Sequence, residues 1–176
     1  MLQNDENRHV FMAIAIVILV TSPIFILLFP PFIANTLYHT SADWHIFVPG
    51  VAYLFYGFAF LFLALSPGII FILDMTKKSI VFGMIFLFLS GISFYIASGP
   101  YISLRNDEIS YRVLFSAEKH THLWADIEKV NYYEVHSDEG FSKYEFFFKD
   151  GTSIELPENG HITLLRGQIR LKVPVK

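Results

Sequence analysis

The sequence predicts three transmembrane helices followed by a small, mainly β domain that ends in a helix. Two observations favour this fold class. The 176 residues are 53% hydrophobic and only 16% charged, whereas a typical soluble domain is about 25% charged. Furthermore, only three of the 13 Lys and Arg residues and four of the 16 Asp and Glu residues precede Ser98. We therefore expect a membrane domain at 1–98 and a soluble domain at 99–176.

Three apolar runs are long enough to cross a bilayer, whose core of about 30 Å takes about 20 helical residues. They lie at about 9–29, 50–73 and 80–97. The first exceeds the apolar core of a signal peptide, which has about 7–15 residues, so we expect it to be retained. Pro23 lies inside this run, and the Thr21 and Ser22 hydroxyls are well placed to satisfy the carbonyl that the proline leaves free.

The segments between these runs differ in length. Residues 30–49 predict a loop with aromatic residues suited to the headgroup level. Residues 74–79 form a tight turn, so spans two and three should be an antiparallel hairpin. Ser66-Pro67-Gly68 predicts a kink or an unwound point within a single second span, because the run is too short for two spans.

Small residues recur at a spacing of seven in the third span, at Gly83, Ser90 and Ala97. Such a stripe lets helices approach closely in lipid, so it predicts a packing or partner surface. The alternative is a chance spacing in a span that contains glycine and serine.

Lys and Arg residues near the spans bear on orientation, because cytoplasmic loops carry an excess of them. The N-terminus and the 74–79 turn share Arg8, Lys77 and Lys78, whereas the other side has Arg105 and Arg112 just after the third span. This count of three against two favours an inside N-terminus and an outside C-terminal domain in a multi-pass protein of the plasma (inner) membrane, but the difference is too small to fix the side of that domain.

After Pro100 the hydrophobic period changes to two, which is typical of strands. Asn106-Asp107-Glu108 predicts the first turn, and Asp150-Gly151 between alternating runs predicts a hairpin. Five or more strands are expected, in a small curved sheet or a partly open barrel. For residues 158–172, Ile162, Leu165 and Ile169 favour an amphipathic helix, and a final strand is the alternative.

Three stretches carry a resemblance to a known family: YISLRNDEISYRVLF, LWADIEKVNYYEV and YEFFFKDGTSIELP. Their succession resembles the bacterial pleckstrin-homology-like (PH-like) domains found attached to membrane spans, over roughly residues 99–172. The Trp-x-Asp-Ile element of that pattern matches Trp124, Asp126 and Ile127. The resemblance implies a binding module without a catalytic motif.

The first turn departs from the eukaryotic relatives of that fold, which bind phosphoinositides through a basic first hairpin. Here the turn at 106–108 is acidic, so phosphoinositide binding is not carried over. The C-terminal part also lacks the basic face that nucleic-acid binding needs, and we expect no nucleic-acid partner.

Histidines provide the candidate metal ligands. His120 and His122 are at i and i+2 on a strand, so both imidazoles face one way, and His136 is a possible third ligand. The favoured alternative is a solvated pair on an edge strand. His39, Asp43 and His45 form a second polar group in the first loop, explained as well by a flexible interfacial loop. We expect no cofactor.

Aromatic residues exceed what one sheet face can bury. Phe147 points away from Phe146 and Phe148, so either a helix covers it or it meets a partner. Trp124 is included with it as a packing or partner residue.

No Gly-rich phosphate loop, nucleophile elbow, paired-carboxylate pattern or cysteine is present, and no span contains a buried charge. An enzyme, a transporter or a pump is therefore not expected. The first hypothesis is a non-enzymatic membrane protein whose PH-like domain serves protein–protein interaction in assembling, scaffolding or regulating a membrane complex. Its expected partners are membrane lipid and another membrane protein or complex. The alternatives are an immunity-type protein that neutralises a toxin, which gene neighbourhood would reveal, and a lipid-binding accessory protein.

Overall fold

The computed structural model describes residues 2–136, 140–158 and 160–173. Within these residues the helices are α1 (Leu2–Tyr38), α2 (Gly50–Ile72), α3 (Lys77–Ala97) and α4 (Gly160–Lys172). The strands are β1 (Asp43–Phe47), β2 (Tyr101–Arg105), β3 (Glu108–Arg112), β4 (His120–Leu123), β5 (Ile127–Tyr133), β6 (Lys143–Phe148) and β7 (Ser153–Pro157). Three long apolar helices and a small, mostly β domain with a terminal helix confirm the predicted fold class at this level.

Three helices of the described chain are long and apolar enough to cross a membrane: Arg8–Tyr38, Gly50–Ile72 and Lys77–Ala97. Their number agrees with the prediction, but α1 passes the predicted end at Phe29 and continues to Tyr38, with Pro30 and Pro31 inside the helix. Only 6% of the apolar window of α1 is buried by the rest of the chain. Most of its surface is therefore suited to contact with lipid.

Hydroxyl groups compensate for the proline inside α1, as the sequence predicts. Pro23 has no N–H to donate to the carbonyl of Leu19, four residues earlier. The Ser22 hydroxyl donates to that carbonyl at 3.0 Å instead, and the Thr21 hydroxyl donates to the Val17 carbonyl at 2.8 Å. In α2 the helix continues through Pro67 to Ile72, so the unwound point that was one of two alternatives there does not occur.

Two hydrogen bonds join α2 to α3. The Ser66 hydroxyl donates to the Gly83 carbonyl at 2.8 Å, and the Ser90 hydroxyl donates to the Ala59 carbonyl at 2.8 Å. The later residue of α3 pairs with the earlier residue of α2, so the helices are antiparallel. The predicted helical hairpin is confirmed.

The start of α1 is held beside the turn between α2 and α3. Arg8 forms an ion pair with Asp74, with Nη1 2.7 Å from Oδ1, and its Nε donates to the Phe71 carbonyl at 3.0 Å. The guanidinium also lies 4.8 Å from the centre of the Phe71 ring. The start of α1 therefore lies at the same end of the helical hairpin as the turn between α2 and α3. Three spans of alternating direction require this arrangement.

The chain divides into two compact units. The helical unit contains Met1–Ser41, Ile46–Ile102 and Tyr111–Lys119, and the β unit contains Ala42–His45, Ser103–Ser110 and His120–Lys176. Neither unit is continuous in sequence, because short segments of the chain from both sides of α2 and α3 contribute to each.

The predicted loop at 30–49 is wrong in two respects. Its first part continues α1, and Asp43–Phe47 form strand β1, the edge strand of a four-stranded sheet with the order β1-β2-β3-β4. This pairing joins segments separated by two helices, which local sequence patterns do not reveal.

The second sheet has the order β5-β6-β7, so the strands form two sheets rather than the single sheet or barrel expected. Tyr144 pairs with Leu156 and Phe146 with Ile154, and all four side chains are buried. The Asp150-Gly151 hairpin is confirmed: the Asp150 carboxylate accepts hydrogen bonds from the Thr152 amide and hydroxyl at 2.9 and 2.7 Å.

The last segment is the helix α4, as favoured from its hydrophobic spacing. Ile162 and Ile169 are fully buried on its inner face, in agreement with the i, i+7 pattern. The strand that was the alternative for this segment does not form.

Candidate functional site

The stripe of Gly83, Ser90 and Ala97 is buried in α3. Ser90 is bonded to α2, and a Cβ added to Gly83 would lie 2.9 Å from Ile70 Cδ1. The first two residues of the stripe therefore serve packing within the chain.

Among the described residues no three His, Asp or Glu side chains are placed to hold a metal ion, so the candidate ligands His120, His122 and His136 do not form such a group. His120 and His122 do share the less exposed face of β4. The His122 ring stacks on Phe148, with centroids 4.0 Å apart, and its Nδ1 lies 3.9 Å from Asp150 Oδ2. His136 is exposed at the end of the described segment after β5.

Trp124 and Phe147 have different surroundings. Trp124 is buried, and its Nε1 donates to the Arg105 carbonyl at 2.8 Å. Its ring stacks on Trp44, with centroids 5.6 Å apart. Phe147 is half-buried, between the fully buried Phe146 and Phe148.

A buried ion pair holds the first residue of strand β1 in the β unit. The Asp43 carboxylate accepts from Arg105 Nε and from the Ser103 hydroxyl, each at 2.5 Å. Arg105 also reaches Glu108 at 2.7 Å. The hydrogen bond to Asp43 raises the pKa of Arg105, so the guanidinium stays charged in this position.

The helical unit contains a pocket that combines a charged side chain with aromatic and apolar ones. Its volume is about 440 Å³, within the range of about 300–1,000 Å³ that is usual for ligand sites. Its walls come from the last turns of α1 and α3, the two residues after α3, the last residue of β3 and the segment that follows β3. The lining residues are Leu37, Tyr38, Tyr95, Ile96, Ser98, Gly99, Arg112, Phe115, Ser116 and Ala117. We call it the helix-end pocket.

Aromatic stacking positions the walls of this pocket. Tyr38 at the end of α1 stacks on Tyr101 with ring centroids 4.2 Å apart, and its hydroxyl donates to the Ser98 carbonyl at 2.7 Å. This hydrogen bond ties the end of α1 to the end of α3. The buried side chains of Ala34 and Ile46 extend the same cluster around Tyr101.

Arg112 supplies the charge of the helix-end pocket. Its guanidinium lies 5.4 Å from the Tyr38 ring centre and 5.7 Å from that of Tyr101, distances at which aromatic faces attract cations. The Nε–H is buried and has no hydrogen-bond partner among the described residues. A buried donor left unpaired costs about 1–3 kcal/mol, so an acceptor entering the pocket would remove that cost.

Phe115 forms the outer wall. Its backbone has φ 62°, a left-handed conformation that is uncommon for residues other than glycine. Its ring is 73% exposed and meets Phe55 edge to face with centroids 5.4 Å apart. The ring is thus held beside α2 rather than in a core.

The chemistry of the helix-end pocket suits an anion with an apolar part. No Asp or Glu occurs among the lining residues that the structure describes, so the Arg112 charge is not balanced there. A guanidinium presents parallel N–H donors that match phosphate and carboxylate oxygens. The surrounding tyrosines, leucine and isoleucine would contact apolar groups.

In the sequence, Arg112 bears only on membrane orientation, and no local pattern around it predicts this pocket. The residue follows the alternating run of β3, which predicts a solvent-facing strand end. A usable signal was the lone arginine between the apolar residues Tyr111 and Val113, close in sequence to Phe115.

No protein-family model and no curated protein matches this chain. The resemblance to PH-like domains therefore stays a prediction, supported only by the succession of strands, the Trp124 element and the terminal helix.

Proposed function

We propose that this chain is a non-enzymatic, multi-pass membrane protein that binds an anionic lipid headgroup in the helix-end pocket. Arg112 carries this proposal, because its unbalanced charge lies where α1 and α3 end. If these helices span a bilayer, their ends lie at the level of the lipid phosphates. Tyrosine is enriched at that level, and Tyr38 and Tyr95 lie at these helix ends.

Replacing Arg112 by glutamine tests this proposal. We expect the Arg112→Gln variant to retain about tenfold to a hundredfold less anionic lipid, because a hydrogen bond to a charged group contributes about 1.5–3 kcal/mol. The purified protein would be titrated in detergent with dioleoylphosphatidylglycerol, and the retained lipid would be counted by native mass spectrometry.

Arg170→Gln is the matched control, since Arg170 is an exposed arginine on α4. It should retain lipid like the unaltered protein. Equal retention by Arg112→Gln and Arg170→Gln would contradict lipid binding in the pocket.

Protein–protein interaction through the C-terminal domain is the second proposal, in keeping with the PH-like resemblance. The outer face of α4 supports it, because Leu164 and Leu171 are 81% and 87% exposed. They are seven residues apart and so lie on one face of the helix. A partner in the same membrane complex would cover this leucine pair.

Replacing Leu164 and Leu171 together by glutamate should abolish recovery of that partner, because two charges would be buried in an apolar contact. The check is a pull-down from detergent-solubilised membranes with quantitative mass spectrometry. Leu123→Glu serves as the control, since Leu123 is an exposed leucine on β4. If the double variant and the control recover the same proteins, the α4 face is not a docking surface.

A further inference from the structure

A shallow groove runs along the free face of α3. It has a volume of about 500 Å³ and is lined by Met84, Leu87, Phe88, Gly91, Ile92 and Tyr95. These positions share one face of the helix, by the usual helical spacing, and cover about 16 Å of its length at 1.5 Å per residue. We call this feature the α3 groove.

Gly91 forms the floor of the α3 groove. A Cβ added to Gly91 would meet no atom within 4 Å, so the absent side chain leaves a notch between Leu87 and Tyr95 that no other part of the described chain fills. The face of α3 that packs on α2 carries Gly83 and Ser90 instead. The groove is therefore turned away from the neighbouring helix.

Tyr95 connects the groove to the helix-end pocket, because it lines both. Its side chain is 83% exposed and contributes both to the wall of the apolar groove and to that of the pocket that contains Ser98 and Arg112. One molecule with a charged end and a long apolar end would pass along the Tyr95 ring and occupy both features.

We propose that the bound ligand is one phospholipid with a net negative headgroup, an inference that rests on the proposed function. Its phosphate contacts Arg112, and its acyl chain lies in the α3 groove. Charge decides the headgroup: no described lining residue of the pocket is an acid, so nothing there would attract the amine of a zwitterionic lipid. The groove favours an acyl chain, since five of its six lining residues have apolar or aromatic side chains and the sixth, Gly91, has none. A free phosphate ester would fill only the pocket.

A substitution that fills the notch at Gly91 tests the α3 groove independently of the helix-end pocket. In the Gly91→Leu variant the four-carbon side chain would fill the notch and displace about two methylene groups of the acyl chain from it, so we expect about tenfold weaker binding of dioleoylphosphatidylglycerol. Binding of glycerol 3-phosphate, which has no acyl chain, should be weak in the unaltered protein and unchanged in this variant. Dioleoylphosphatidylcholine should bind more weakly than the anionic lipid.

Val81→Phe provides the control, because Val81 is an exposed apolar residue of α3 outside the groove; it should bind lipid normally. Normal binding of dioleoylphosphatidylglycerol by Gly91→Leu, with a loss in Arg112→Gln, would overturn the groove and leave the pocket proposal standing. Glycerol 3-phosphate binding as tightly as the lipid would also overturn it. Normal binding by Arg112→Gln would overturn both proposals.

Discussion

Replacing Asp43 by alanine should destabilise the β unit by about 3 kcal/mol. The Asp43 side chain is 0% exposed and the Arg105 side chain 20%, so the substitution would leave a largely buried guanidinium without its main partner. Removing one member of a buried pair costs about 3–5 kcal/mol. The lower end applies here, because Arg105 keeps Glu108 and some contact with solvent.

Intrinsic fluorescence provides the measurement. The chain has two tryptophans, and Trp44 next to Asp43 stacks on Trp124. Thermal or denaturant unfolding followed at tryptophan wavelengths therefore reports directly on the attachment of β1. We expect the Asp43→Ala variant to lose this signal at a lower temperature or denaturant concentration than the unaltered protein.

Two further variants make the test specific. Asp43→Leu combined with Arg105→Met should recover much of the loss, because apolar residues of similar size often replace a buried ion pair without cost. Glu128→Ala, at an exposed position of β5, should change the unfolding free energy by less than about 0.5 kcal/mol. An Asp43→Ala variant as stable as Glu128→Ala would show that the ion pair does not hold β1.

Replacing Gly83 by leucine should separate α2 from α3. A Cβ at this position would lie 3.0 Å from the backbone oxygen of Ser66 and 2.9 Å from Ile70 Cδ1. A backbone atom cannot move aside as a flexible side chain can. We therefore expect overpacking to lower the stability of the hairpin by at least the usual amount of about 1–3 kcal/mol. Separation would also break the hydrogen bond from Ser66 to the Gly83 carbonyl.

The stability of the helical hairpin is measured by titrating the detergent-solubilised protein with sodium dodecyl sulfate while following helicity by circular dichroism. Gly57→Leu is the matched control, because a Cβ at Gly57 in α2 meets no atom within 4 Å. We expect Gly83→Leu to unfold at a clearly lower detergent fraction than Gly57→Leu. Coincident curves would mean that close approach at Gly83 is not required.

The helices were predictable because each one is specified by its own sequence. An apolar run long enough to cross a bilayer identifies each span, and Ile162 with Ile169 identifies the inner face of α4. The ends were less predictable: Pro30 and Pro31 suggest a stop, whereas in α1 the helix continues past them.

Strand β1 and the helix-end pocket were not predictable because they depend on partners far away in sequence. Asp43 lies 62 residues from Arg105, and a short run of five residues gives no signal of its own without the adjacent strand. Arg112 in turn belongs to a pocket only after β3 returns the chain to the ends of α1 and α3. The hydrophobic periodicity of a short segment carries no information about either of these long-range contacts.

The position of β1 ahead of two helices has a consequence for biosynthesis. When Asp43 is added to the growing chain, its partner Arg105 is still 62 residues from being added, which at about 5–20 residues per second corresponds to about 3–12 s. During that interval α2 and α3 are synthesised, while the sheet lacks β2 to β4 and Asp43 has no cation from Arg105. The edge strand is therefore the first part of the sheet to be synthesised, but it can pair only after both helices of the hairpin have been made.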